Sequence, residues 1–135
     1  MEVTGKCHCG EIAYRALVDP DHVSVCHCTD CQVLTGSPYR VSVPAQSADF
    51  RLISGRPKIY VKVAESGNRR AQAFCPTCGT PIYAASADNP LTYNLRVGGI
   101  DQRANLPPKK QIWCRSAMPW SEDISRVPAL AKDGR

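Results

Sequence analysis

This sequence predicts a small all-β domain with metal-bearing loops and at most one short helix. Three observations lead there. Apolar residues recur mostly with a period of two, 11 prolines and 9 glycines punctuate the chain, and all but one of the 8 cysteines fall into three tight groups. Alternation of this kind marks strands with one buried face, and Gly and Pro mark the turns between them. A chain of 135 residues fits one domain, read as residues 1–128 with a flexible tail over 129–135, and is small enough to gain from a metal staple.

The elements follow in order. Residues 11–16 (EIAYRA) and 39–43 (YRVSV) alternate, and 58–63 (KIYVKV) is the clearest strand, with Ile59, Val61 and Val63 on one face. Residues 70–74 run into the last cysteine pair and 80–84 leave it, while 92–97 and 110–114 complete the set. The helix is expected near residues 29–35, with Thr29 or Asp30 as its N-cap. Breaks fall at Pro20, Gly36, Gly55, Gly67, Pro90, Gly98-Gly99 and Pro107-Pro108.

No apolar run follows the opening Met1-Glu2-Val3-Thr4-Gly5-Lys6, and no stretch approaches the roughly 20 apolar residues of a membrane helix. The expectation is therefore a cytoplasmic protein with no membrane partner, its thiols kept reduced. In that setting CxC and CxxC pairs favour metal over four disulfides. A thioredoxin-type role for Cys75 and Cys78 lacks the surrounding βαβ pattern.

Cys7-His8-Cys9 and Cys75-Pro76-Thr77-Cys78 together offer four thiolates, enough to close a tetrahedral site that holds a fold. Gly79, behind the second pair, can take a positive φ and let backbone N–H groups turn toward the sulfurs. Loss of Cys7 or Cys78 is expected to unfold the domain. Cys26-His27-Cys28-Thr29-Asp30-Cys31 offers three thiolates from one stretch of backbone. Two readings stand for this group. A three-ligand ion keeps a position for water or an incoming thiol, whose proton a dication displaces. Alternatively Cys114 or Asp30 closes the shell and makes a second staple.

In extended chain, side chains i and i+2 point one way and i+1 the other. His8 and His27 should therefore face away from their neighbours' ion, His27 packing against the core or hydrogen-bonding near the site. His22 reads as an exposed loop residue, and Cys114, which stands alone, as a buried strand residue.

The formal charge of +5 falls to about +2 once seven bound thiolates and two dications are counted. Arg51, Lys58, Lys62, Arg69, Arg70, Lys109 and Lys110 are dispersed, without the interleaved aromatics of a nucleic-acid surface, so no such partner is expected.

Gly5-Lys6-Cys7-His8-Cys9-Gly10, then Cys26-His27-Cys28-Thr29-Asp30-Cys31 with Gly36-Ser37 behind it, then Cys75-Pro76-Thr77-Cys78-Gly79-Thr80-Pro81 and Met118-Pro119-Trp120 stand in this order. In these motifs the chain resembles the glutathione-dependent formaldehyde-activating family, which also includes the centromere protein V-like domains. The resemblance runs over residues 4–128. It implies a zinc-stabilised β-tent with two zinc ions per chain: a structural one on Cys7, Cys9, Cys75 and Cys78, and a substrate-facing one on Cys26, Cys28 and Cys31. It also implies a carbon–sulfur lyase whose partners are a small thiol such as glutathione and a small aldehyde, joined reversibly as S-hydroxymethylglutathione. Arg40, Arg51 and Lys58 either meet the tripeptide's carboxylates or are solvated charges on strand faces. The rival reading is a non-catalytic, zinc-stabilised interaction or thiol-carrying module. Trp113 and Trp120 would be its anchors, although core packing is the ordinary fate of tryptophan.

Overall fold

Alternating side chains over the described residues, 1–134 of a computed structural model, build ten strands and one α-helix. The strands are β1 (Glu2–Lys6), β2 (Ala13–Leu17), β3 (Ser24–Cys26), β4 (Arg40–Gln46), β5 (Phe50–Ser54), β6 (Lys58–Val63), β7 (Arg69–Phe74), β8 (Pro81–Ser86), β9 (Thr92–Arg96) and β10 (Lys110–Ile112). The helix α1 spans Thr29–Thr35, where the sequence places it. The expected tail extends to Arg135, which lies outside the described residues.

Two sheets form, β1-β2-β5 and β10-β3-β4-β9-β8-β7-β6, and neither closes on itself. Pairing is antiparallel except between β10 and β3. Register then decides what each face of the larger sheet carries, because directly opposed residues share a face. Val43, Leu95, Tyr83, Ala73 and Ile59 form one cross-strand row. Val43 and Leu95 are fully buried, and Tyr83 packs against the same core. On the opposite face Cys26 stands across from Arg40, Ser42 from Arg96, Asn94 from Ala84, Ala84 from Gln72 and Arg70 from Lys62. One face is oily and the other carries cysteine, arginine and amide side chains.

Four rings tie the sheets together. Tyr14 of β2 and Phe50 of β5 lie 5.2 Å apart, Phe50 is 5.0 Å from Tyr93 of β9, and Tyr83 of β8 stacks on Tyr93 at 4.3 Å. The Tyr14 ring lies over Gly5, its partner on β1, so closely that an added Cβ would sit 2.2 Å from the ring. Tyr14 is 1% exposed and has nowhere to retreat. A Gly5→Ala variant should therefore lose about 1–3 kcal/mol, the usual cost of overpacking. Urea melts of the two proteins check this, and an unchanged midpoint would show that the ring swings aside.

Three local expectations need correction, and one that holds has an unexpected setting. The N-cap of α1 is Cys28, not Thr29 or Asp30: its backbone is extended and its sulfur accepts the Cys31 N–H at 3.3 Å. Ile59, Val61 and Val63 do share a face, but β6 is a sheet edge and all three are exposed. Cys114 is not a buried strand residue. β10 ends at Ile112, Trp113 takes a left-handed conformation (φ 57°, ψ 37°), and Cys114 opens an exposed turn, Cys114–Ser116. Trp113 and Trp120 also stay out of the core, at 42% and 60% exposure.

Candidate metal centres

Cys7 and Cys9 follow β1, and Cys75 and Cys78 sit in the turn between β7 and β8. Their four sulfurs lie within 4.8 Å of one another. One cluster thus bridges the small sheet and the large one. Backbone donors surround it: Ile12 N–H donates to Cys7 Sγ at 3.2 Å, and Thr77 and Cys78 N–H donate to Cys75 Sγ at 3.4 Å each. Gly79 has φ 78° and closes this turn by donating its N–H to Cys75 O at 2.9 Å. The Thr80 hydroxyl holds the Cys78 thiol down to about 5. Four sulfurs with N–H groups turned toward them suit a soft, tetrahedral dication such as zinc.

Cys26, Cys28 and Cys31 also bring their sulfurs within 4.8 Å of one another. Cys26 ends β3, Cys28 caps α1, and Cys31 lies one turn into the helix. A hydrogen bond from Cys26 and the neighbouring Arg40 guanidinium hold the Cys31 thiol down to about 5, while the same partner, Cys31, pushes Cys26 up. Arg40 Nη2 donates to Cys31 Sγ at 3.4 Å. Arg40 is therefore not the solvated strand-face charge that was one of its two readings; it is 6% exposed.

Among the described residues no fourth cysteine, histidine or carboxylate joins this trio. Asp30 is taken by Lys62 at 2.8 Å, and Cys114 stands exposed in the turn after β10. His27 faces away, as alternation requires. It is 2% exposed, its Nε2 is 2.7 Å from Gln111 Oε1, and its ring meets Tyr39 edge-on. Gln32 fastens α1 in place by donating to His27 O at 2.8 Å and to Ser116 O at 2.9 Å. His22, in its loop, is exposed and pairs with Asp19.

The trio opens into a cavity of about 430 Å³ floored by the polar face of the large sheet. Arg40, Arg70, Arg96 and Gln72 line it, with Trp113 on one wall. Arg96 donates to Ser42 Oγ at 2.7 Å and to Gln72 Oε1 at 3.0 Å. The Nε groups of Arg40 and Arg96 are buried without a partner, which costs about 1–3 kcal/mol each. Arg51 and Lys58, named beside Arg40 in the sequence, are exposed and do not line the cavity. The missed residues, Arg70, Gln72 and Arg96, left a trace, since Asn94/Arg96 and Arg70/Gln72, like Arg40/Ser42, are polar i, i+2 pairs.

All 8 cysteines are unbridged. Among the described residues no helix is long and apolar enough to cross a membrane.

A crystal structure of a Rhodobacter sphaeroides protein shares the fold, with a TM-score of 0.62 at 20% identity over 80% of this chain and 98% of the other. An uncharacterised lyase of Schizosaccharomyces pombe is 28% identical over 95 residues, which is 69% of this chain and 66% of that protein's length. The family model described as glutathione-dependent formaldehyde-activating enzyme matches residues 2–116, and with it every clustered cysteine. By that match, the chain belongs to the glutathione-dependent formaldehyde-activating enzyme family.

Proposed function

We propose that this chain is a zinc-dependent carbon–sulfur lyase acting on the adduct of a small thiol with formaldehyde or a related small aldehyde. The family and the lyase-named relative support the general class. One observation carries the reading to this chain: the three-thiolate group faces a cavity of about 430 Å³ instead of a fourth protein donor. Four-thiolate sites hold folds, whereas three protein ligands are the mark of sites that do chemistry.

Cys7, Cys9, Cys75 and Cys78 would hold one zinc ion, and Cys26, Cys28 and Cys31 the other. At the second site the ion supplies a Lewis acid and favours the thiolate form of a thiol that binds it. The protein does the rest. Arg40 Nη2, donating to Cys31 Sγ, draws negative charge from that sulfur and leaves the ion more electron-poor. Cys28 and Gln32 keep the helix, and so the trio, in one geometry. Trp113 and the sheet floor line the cavity in which the reactants would sit. His27 faces Tyr39 and Gln111 and takes no part as a base. Free thiols throughout fit a reducing, cytoplasmic setting.

Native mass spectrometry, paired with carbon NMR of glutathione mixed with labelled formaldehyde, tests the reading. Two zinc ions per chain and exchange between free and adduct forms faster than the spontaneous reaction are expected. Two bound ions with no acceleration would remove the enzyme and leave a zinc-stabilised module.

A further inference from the structure

The cavity has more positive charge than its own acids can balance. Five cations line it: Arg40, Lys62, Arg70, Arg96 and Arg115. Asp30 is committed to Lys62 at 2.8 Å and Glu65 to Arg115 at 2.9 Å. Among the described residues Arg40, Arg70 and Arg96 have no carboxylate partner. Three thiolates around a dication would offset one of these charges and leave an excess of about two. Arg40 is spoken for by Cys31 Sγ. Arg96 is held only by neutral acceptors, Ser42 Oγ and Gln72 Oε1, so its charge and that of Arg70 stay unmatched.

We propose that Arg70 and Arg96 form an anchor for a carboxylate of the small thiol, or thiol–aldehyde adduct, that this cavity takes. The inference rests on the cavity being the substrate site. Arg96 is fixed in place before any ligand arrives, pinned by Ser42 on one neighbouring strand and by Gln72 two strands away. It reaches Gln72 across Ala84, whose small side chain leaves the centre of the floor open. Its Nε is buried out of a ligand's reach, so the donors it can offer are the second N–H groups of Nη1 and Nη2, beside their bonds to Ser42 and Gln72. Burial, with the charges of Arg40 and Arg70, pushes Arg96 down to about 9, a strain that a carboxylate would relieve. A planar guanidinium held in this way recognises carboxylate oxygens in pairs.

Cys26 and Arg96 lie two strand spacings apart across the sheet and two residues apart along it, about 12 Å between their Cα atoms. Even with both side chains reaching into the cavity, a ligand that meets the trio with its sulfur and Arg96 with its acid group has to span several bonds. That selects a peptide-sized acidic thiol over a short uncharged one such as 2-mercaptoethanol.

Calorimetry on the zinc-loaded protein with S-methylglutathione tests the anchor without turnover, since a methylated sulfur cannot ionise. The acid should bind, its diester at least tenfold more weakly. Arg70→Met should lose at least tenfold in affinity for the acid while keeping two zinc ions and the wild-type melting temperature. Arg96→Lys serves as a second variant, keeping the charge while losing the pinned fork, and should also lose affinity. Equal binding of acid and diester overturns the anchor, as does unchanged affinity in both variants, no binding of the acid, or capture of inorganic phosphate alone. A protein that tells acid from ester yet has no turnover keeps the anchor and loses only the lyase reading.

Discussion

A Cys75→Ser variant is expected to be unfolded at 25 °C, with its metal lost. Cys75 is 0% exposed and Cys7 1%, so these two ligands belong to the core, while Cys9 and Cys78 lie at the surface. It is also where the small sheet meets the large one, through the segment after β1 and the turn between β7 and β8. Structural zinc sites bind with about 10–16 kcal/mol, while a domain's whole stability is about 5–15 kcal/mol. Removing Cys75 takes away the buried sulfur to which Thr77 and Cys78 N–H donate, so the turn between β7 and β8 loses its centre along with a quarter of the ion's ligands. Neither sheet alone compensates. β1-β2-β5 is a three-stranded sheet whose third strand, β5, is largely exposed. Circular dichroism and amide proton spectra of the variant are the measurement, and excess chelator on the wild type should reproduce them. A cooperative melt within a few degrees of wild type would show that apolar packing alone carries the fold.

The cysteine arithmetic was legible because metal ligands come in local pairs. CxC in extended chain and CxxCG in a turn each bring two sulfurs together by backbone geometry alone. The helix was legible for the same reason, being seven residues closed by local bonds and a left-handed Gly36. Strands with clean alternation could be read, but three could not. β1 hides its period behind Gly5, which is present because Tyr14 needs the space. β3 is three residues long. β5 places Leu52 and Ile53 side by side, both exposed, so no period exists to find. The cavity was hidden by a deeper obstacle. Arg40, Arg70 and Arg96 each look like ordinary surface charge in their own strand. Only register places them on one floor, and register joins Ser42 of β4 to Arg96 of β9 across 54 residues. Cys114 and Trp113 misled because their turn depends on a left-handed residue with a bulky side chain, which sequence preference argues against.

Cys28→Ser should fold, bind one zinc ion fewer than the wild type, and lose at least ~100-fold in turnover. Cys28 has two roles that this substitution separates. Its sulfur belongs to the trio, and the same sulfur accepts the Cys31 N–H as the cap of α1. A serine hydroxyl takes over the cap well, since serine is among the preferred N-caps, but it is a poor replacement for a thiolate on zinc. Cys28→Ala removes both functions, so it should match the serine variant in metal count and turnover yet melt lower, by about 1 kcal/mol of stability. Gln32 still ties the helix to His27 O and Ser116 O in either variant, which keeps the loss local. The contrast with Cys75 follows from position: that cluster joins two sheets, whereas this one lies within the single connection from β3 to α1. Metal count by native mass spectrometry, melting temperature and the formaldehyde exchange rate together decide the matter. If Cys28→Ser kept two ions and near-normal turnover, another protein group would have to complete the site, and the cavity would lose its claim to the chemistry.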